Sequence, residues 1–121
     1  MVDQIKKIEL FQDGLKYYKT GNYFEAHEAW EELWSDFYLK DKKFVQGLIQ
    51  LAVSFVHLRN GNMIGAINLL RKSKEKFQAF SGIHRGINVN FLLQEIENVG
   101  ASYIKLENSN EFNWGIVPSL R

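Results

Sequence analysis

Phe24-Glu-Ala-His27-Glu-Ala-Trp30-Glu31-Glu-Leu-Trp34 is the stretch that sets the fold class. Turned through about 100° per residue, it brings Tyr23, Ala26, Leu33, Trp34 and Phe37 to within about 60° of Trp30 and leaves Glu25, Glu28, Glu32 and Asp36 on the far side. A broad apolar stripe backed by carboxylates is the pattern of a helix laid on a core. His27 and Glu31 fall at the edge of that stripe, one turn apart and flanked by Phe24, Trp34 and Tyr38. A carboxylate among aromatic rings either finds a partner or holds its proton more tightly, and His27 is the nearest partner on offer.

The same period extends in both directions. Before it, Ile5, Ile8, Phe11, Leu15 and Tyr18 lie three or four apart behind Asp3, a helix that should stop at Gly21. Asn22 can then cap a second helix running to about Tyr38. A third begins near Asp41 and carries Phe44 to Leu58, a fourth spans roughly Met63 to Phe80, and Leu92, Ile96, Val99, Tyr103 and Leu106 mark a fifth. The glycines and Asn of Ser81-Gly-Ile-His-Arg-Gly-Ile-Asn88 read as a loop, and the last fifteen residues look irregular. The single proline, Pro118, interrupts none of these helices. Gly21-Asn22-x-x-x-Ala26 returns as Gly61-Asn62-x-x-x-Ala66, 40 residues on (Gly21 to Gly61), and Phe37 matches Phe77 at the same offset. Two helical hairpins of tetratricopeptide-like kind are implied, the small Ala letting their helices approach closely. Two such units are too few for a solenoid, so the expectation is an all-α, compact bundle of about five helices. It should form one domain over residues 1–121, with an irregular tail from about residue 107.

Composition narrows the function classes. With 121 residues, 45% hydrophobic and 24% charged, the chain has the make-up of a folded domain. A net charge of +1 provides no long-range field directed at nucleic acid. The absence of cysteine excludes disulfides and thiolate metal sites and permits a reducing compartment. The N-terminal Met1-Val-Asp-Gln-Ile-Lys-Lys has no signal-peptide core, and the apolar run around Gly47 to Leu58 is broken by Gln50, Ser54 and His57. A cytoplasmic protein with no membrane segment is the expectation.

On the third helix Gln46, Gln50, Ser54 and His57 gather within about 80° of one another, with no Lys, Arg, Asp or Glu among them. An uncharged polar stripe of this kind fits a satisfied buried network or a cleft wall better than a solvated face. The candidate site is therefore His27, Glu31, Trp34, Gln46, Gln50 and His57.

FEAHEAWEELW followed by QGLIQLAVSFVHLRNGN resembles the family catalogued as domain of unknown function 309, whose signature is a His, three residues, a Glu, two residues and a Trp. His27, Glu31 and Trp34 meet that pattern, and the likeness runs from about Phe11 to Phe80. The resemblance implies a compact helical bundle and brings no activity, substrate or cofactor with it.

With no nucleophile, acid pair or phosphate loop in view, the chain reads as a non-enzymatic protein or peptide interaction module, without cofactor, as a monomer or small homo-oligomer. An alternative is a metal or hydrolytic site on His27 and Glu31. No metal is expected there, since three histidines in all leave little for a ligand shell and the second His of the zinc-protease helix is missing. A second alternative is nucleic-acid binding through Arg71, Lys72, Lys74 and Lys76, against which Glu75 and the small net charge both argue.

Overall fold

In the computed structural model, which describes residues 2–121, the chain runs α1 (Val2–Lys19), α2 (Tyr23–Asp36), α3 (Lys42–Arg59), α4 (Met63–Phe77), β1 (Ile83–His84), β2 (Ile87–Asn88) and α5 (Val89–Lys105). Two single-turn 3-10 helices, Ser109–Glu111 and Trp114–Ile116, complete it. The five helices pack in chain order, α1 on α2, α2 on α3, α3 on α4 and α4 on α5.

The repeated Gly-Asn punctuation produces the same turn twice. Gly21 and Gly61 take φ of 80° and 76°, a left-handed conformation that costs glycine nothing and side-chain-bearing residues about 1 kcal/mol or more. In each turn the glycine N–H bonds the carbonyl three residues back at 3.0 Å (Tyr18, Leu58), and the asparagine N–H bonds the carbonyl five back at 2.8 Å (Tyr17, His57). This is the Schellman closure, which satisfies carbonyls that the helix end leaves without a partner. Ala26 and Ala66, four residues into the following helices, are both fully buried. The echo stops at Phe37 and Phe77: Phe77 is buried within α4, whereas Phe37 lies just beyond α2 in extended backbone and is half-buried. For the same reason α2 ends at Asp36 rather than Tyr38.

Trp30 joins α1 to α2. Its indole lies fully buried on Gly14, and Nε1 donates to the Phe11 carbonyl at 3.2 Å. α3 is the centre of the bundle, with Phe44, Leu48, Leu51, Phe55 and Leu58 fully buried. Against α4 its Gly47 touches Phe77, where a Cβ would come to 2.9 Å of the ring. Ser54 donates to the Ala66 carbonyl at 2.7 Å and accepts from the Tyr103 hydroxyl at 2.9 Å, tying α3 to both α4 and α5.

Residues 81–88, expected as a loop, contain an antiparallel hairpin with Ile83 opposite Asn88 and His84 opposite Ile87. Its two turn residues, Arg85 and Gly86, both have positive φ (51° and 78°), the requirement of a type I′ turn. Asn88 then caps α5 by accepting from the Phe91 N–H. The tail folds back on the bundle. Phe112 and Leu120 are buried, the Tyr18 hydroxyl donates to the Pro118 carbonyl at 2.8 Å, and Trp114 stacks on Tyr23 with ring centroids 5.8 Å apart. The Arg59 guanidinium lies 4.8 Å from both of those rings and donates to the Gly21 carbonyl.

The apolar face of α1 is only partly used. Leu10, Phe11 and Tyr18 are buried, while Ile5 and Ile8 stand in solvent.

Candidate functional site

The six residues picked out by their spacing lie on α2 and α3. His27 directs Nδ1 back to its own helix and donates to the Phe24 carbonyl at 2.9 Å, with its ring 5.2 Å from that of Phe24. Glu31 is exposed and forms no hydrogen bond or ion pair among the described residues, so it makes no bond with His27. Trp34 is half-buried beneath the Lys42 ammonium, 4.3 Å from its ring, and its Nε1 meets neither solvent nor an acceptor. Gln46 and Gln50 are half-buried on α3, and the Gln50 Oε1 is likewise without a donor. His57 accepts at Nδ1 from the Asn62 amide at 3.3 Å, and its ring abuts Gly65. Ser54, which shares the polar stripe, belongs to the sealed contact between α3, α4 and α5. No hydrogen bond joins any two of the six. Among the described residues no three His, Asp or Glu side chains converge, so His27 and Glu31 gain no third metal ligand.

Sequence reasoning missed a second polar cluster. Asp41, expected only as the start of α3, makes no side-chain cap; its carboxylate instead receives His84 Nε2 at 2.8 Å and two guanidinium nitrogens of Arg85, Nε and Nη2. Arg85 also lies 4.7 Å over the Phe11 ring. Burial pushes the Asp41 carboxyl up, but the hydrogen bonds and charges of Arg85 and His84 outweigh it and bring it down to about 2. The cluster locks the β-hairpin to the start of α3 and to α1. A sequence cue existed in Arg85-Gly86, a residue pair at a position that favours Asn-Gly or Asp-Gly, but the acid that holds it lies 44 residues away.

The basic residues of α4 are partly neutralised: Arg71 pairs with Glu75 at 3.0 Å, and Lys74 pairs with Glu97 of α5. Between those helices runs a groove of about 370 Å³ with a mainly aliphatic lining, Ile67, Leu70, Ile96 and Ile104 together with the small Gly100 and Ala101. Of its lining, Ile104 is 81% and Ile67 42% exposed, and Ile64, earlier on α4, is 76% exposed.

Residues 11–69 match the family model described as Domain of unknown function (DUF309). This part of the chain belongs to DUF309. It contains His27, Glu31, Trp34, Gln46, Gln50 and His57, whereas most of the α4–α5 groove lies beyond it. The chain is also similar to the "Uncharacterized protein YpuF" of Bacillus subtilis (strain 168), 41% identical over 66 residues, and to an uncharacterised protein of Aquifex aeolicus (strain VF5), 27% identical over 95 residues. Those alignments cover 54% and 78% of this chain but 38% and 28% of the relatives, so it spans well under half the length of either. Among the described residues no helix is long and apolar enough to cross a membrane.

Proposed function

We propose that this chain is a non-enzymatic protein-interaction module and that the groove between α4 and α5 holds an amphipathic helix of its partner. The observation that carries the proposal is the bare aliphatic surface of Ile67 and Ile104 along a concavity that also contains the small residues Gly100 and Ala101, where a helix backbone can come close. Arg71, Lys74 and Glu97 at its rim supply the polar border usual around an apolar contact. The tetratricopeptide-like reading of the hairpins points the same way, since stacked helix pairs present extended grooves to their ligands. A chain without cysteine fits the cytoplasm as the place where the module works.

The test is to select helical peptides against the folded chain and map the tightest by NMR. Shifts confined to Ile67, Gly100, Ala101 and Ile104, with affinity falling at least about tenfold in Ile104→Lys, support the groove. A footprint on His27, Trp34 and Gln50 instead overturns it. So does a catalytic turnover that is lost in His27→Ala or Glu31→Gln with the helix content unchanged.

A further inference from the structure

The clamp on Arg85 also shapes the surface around it. Asp41 takes the guanidinium side-on, through Nε and Nη2, and the same group lies 4.7 Å over the Phe11 ring. Nη1 is left with no acceptor among the described residues, on a planar group whose position is already set. Two hollows, of about 330 and 290 Å³, adjoin it, and Gln4, Lys7 and Arg85 line both. Lys40 lines the second. Lys7 is half-buried and Lys40 exposed, and neither forms an ion pair or a side-chain hydrogen bond among the described residues. Asp41 is the sole carboxylate of that lining, and His84 and Arg85 already occupy it. Lys7, Lys40 and Arg85 less Asp41 leave a charge of +2 around the shared wall. Keeping like charges together without a counter-ion costs free energy, and more for a half-buried ammonium than for one in bulk water. An anion seated between them offsets that cost.

The donors indicate which anion. A phosphoryl group carries close to two negative charges at pH 7 and three strong acceptor oxygens. Its charge matches the +2 of the wall, and its oxygens match the two ammonium groups and Nη1 of Arg85, with the Gln4 amide as a neutral fourth donor. A carboxylate would answer only half of that charge. We propose that Lys7, Lys40 and Arg85 bind a phosphoryl dianion, as free phosphate or as a small phosphate monoester, at the wall shared by the two hollows. Hollows of this size are at the small end of ligand sites, which suits a phosphoryl group with a modest organic body. Such a body would meet Ile8 and Phe11 on one side or Tyr38 on the other. The site is separate from the groove between α4 and α5 and stands whether or not that groove holds a helix.

Titrations of the whole chain followed by two-dimensional NMR test this, at constant ionic strength, with inorganic phosphate, adenosine monophosphate and adenosine as probes. Phosphate and the monophosphate are expected to move the resonances of Gln4, Lys7, Lys40 and Arg85 and to saturate at roughly millimolar concentration, while adenosine leaves them in place. Equal affinities would assign the free ion as the ligand. A monophosphate at least about tenfold tighter, with added shifts at Phe11 or Tyr38, would assign the ester. Lys7→Gln and Lys40→Gln break no side-chain bond of the fold, so each should keep its helical circular dichroism and weaken phosphate binding at least about tenfold. Lys72→Gln removes the same charge from α4 and should leave the affinity unchanged. Three results overturn the proposal. One is the absence of saturating shifts up to about 50 mM phosphate. Another is equal movement of these resonances by adenosine and the monophosphate. The third is a loss in Lys72→Gln equal to that in Lys7→Gln, which would mean a general attraction between charges in place of a site.

Discussion

Replacing Gly14 by alanine sets two opposing effects against each other within α1. In an exposed helix the change stabilises by about 1 kcal/mol, because glycine has more backbone freedom to lose. At position 14, however, the new methyl group would sit 2.0 Å from Nε1 of Trp30 and 2.4 Å from Cδ1 and Cε2. Ordinary contact begins near ~3.5 Å, so the indole must retreat by about 1.5 Å. It has nowhere to go, since Trp30 is fully buried and rests against Tyr18, with ring centroids 6.0 Å apart. Overpacking costs typically about 1–3 kcal/mol, and losing the bond from Nε1 to the Phe11 carbonyl adds about 1. The clash outweighs the helical gain, leaving a net loss of about 1–3 kcal/mol and, at about 4 °C per kcal/mol for a chain of this size, a midpoint lower by about 4–12 °C. Gly100→Ala is the matched control. Its Cβ meets only Leu70 Cδ2, at 3.6 Å, so the helical gain stands and the midpoint should rise by about 2–4 °C. Thermal melts followed by circular dichroism, with urea titrations for the free energies, decide the matter. A Gly14→Ala protein that melts at or above the wild type would refute the close seating of Trp30, and equal losses in both variants would refute the contrast.

Other expectations follow from the polar groups. Asp41 has a folded pKa of about 2 against an ordinary 3.8, so its contribution to stability is fully present above about pH 4 and disappears as pH falls through 2. Asp41→Asn should cost about 1–2 kcal/mol at pH 7 after allowing for the solvent that still reaches the cluster, with the two proteins converging between pH 4 and 2; a pH-independent difference in urea midpoints counts against this. Gln50→Leu removes a buried acceptor that has no donor and should raise stability by about 1 kcal/mol in the same titration. A loss of that size would show the amide to be paired in solution.

Much of the architecture was legible because its determinants are local. The two Gly-Asn turns bond to carbonyls three and five residues away, so six residues of sequence contain the whole device. Ile5 and Ile8 show where periodicity stops informing: it reports that a helix has an apolar face, and says nothing of whether another element arrives to cover it. The β-hairpin was unreadable for a related reason, since Arg85 adopts its left-handed backbone with support from Asp41 and Phe11, both far off in the chain. Within the polar stripe, Ser54 and Gln50 are indistinguishable by angle. Ser54 is sealed because its short side chain reaches a carbonyl on α4 and a hydroxyl 49 residues away on α5; Gln50 finds no such partner. The spacing of His27 and Glu31 permitted a bond, but the imidazole took the nearer carbonyl of Phe24.

The contact of Tyr18 with Pro118 also has a kinetic meaning. It joins residues 100 apart, whereas each Gly-Asn hairpin closes over a few residues. Loop closure over the longer span costs more entropy and gains nothing until the intervening helices are in place, so the hairpins should nucleate early and the tail should dock late. Opening should run in reverse, with the tail leaving Tyr23 and Arg59 before the helices melt. Trp114, seated at that junction, would report the release of the clasp by fluorescence, independently of Trp30 in the sealed core.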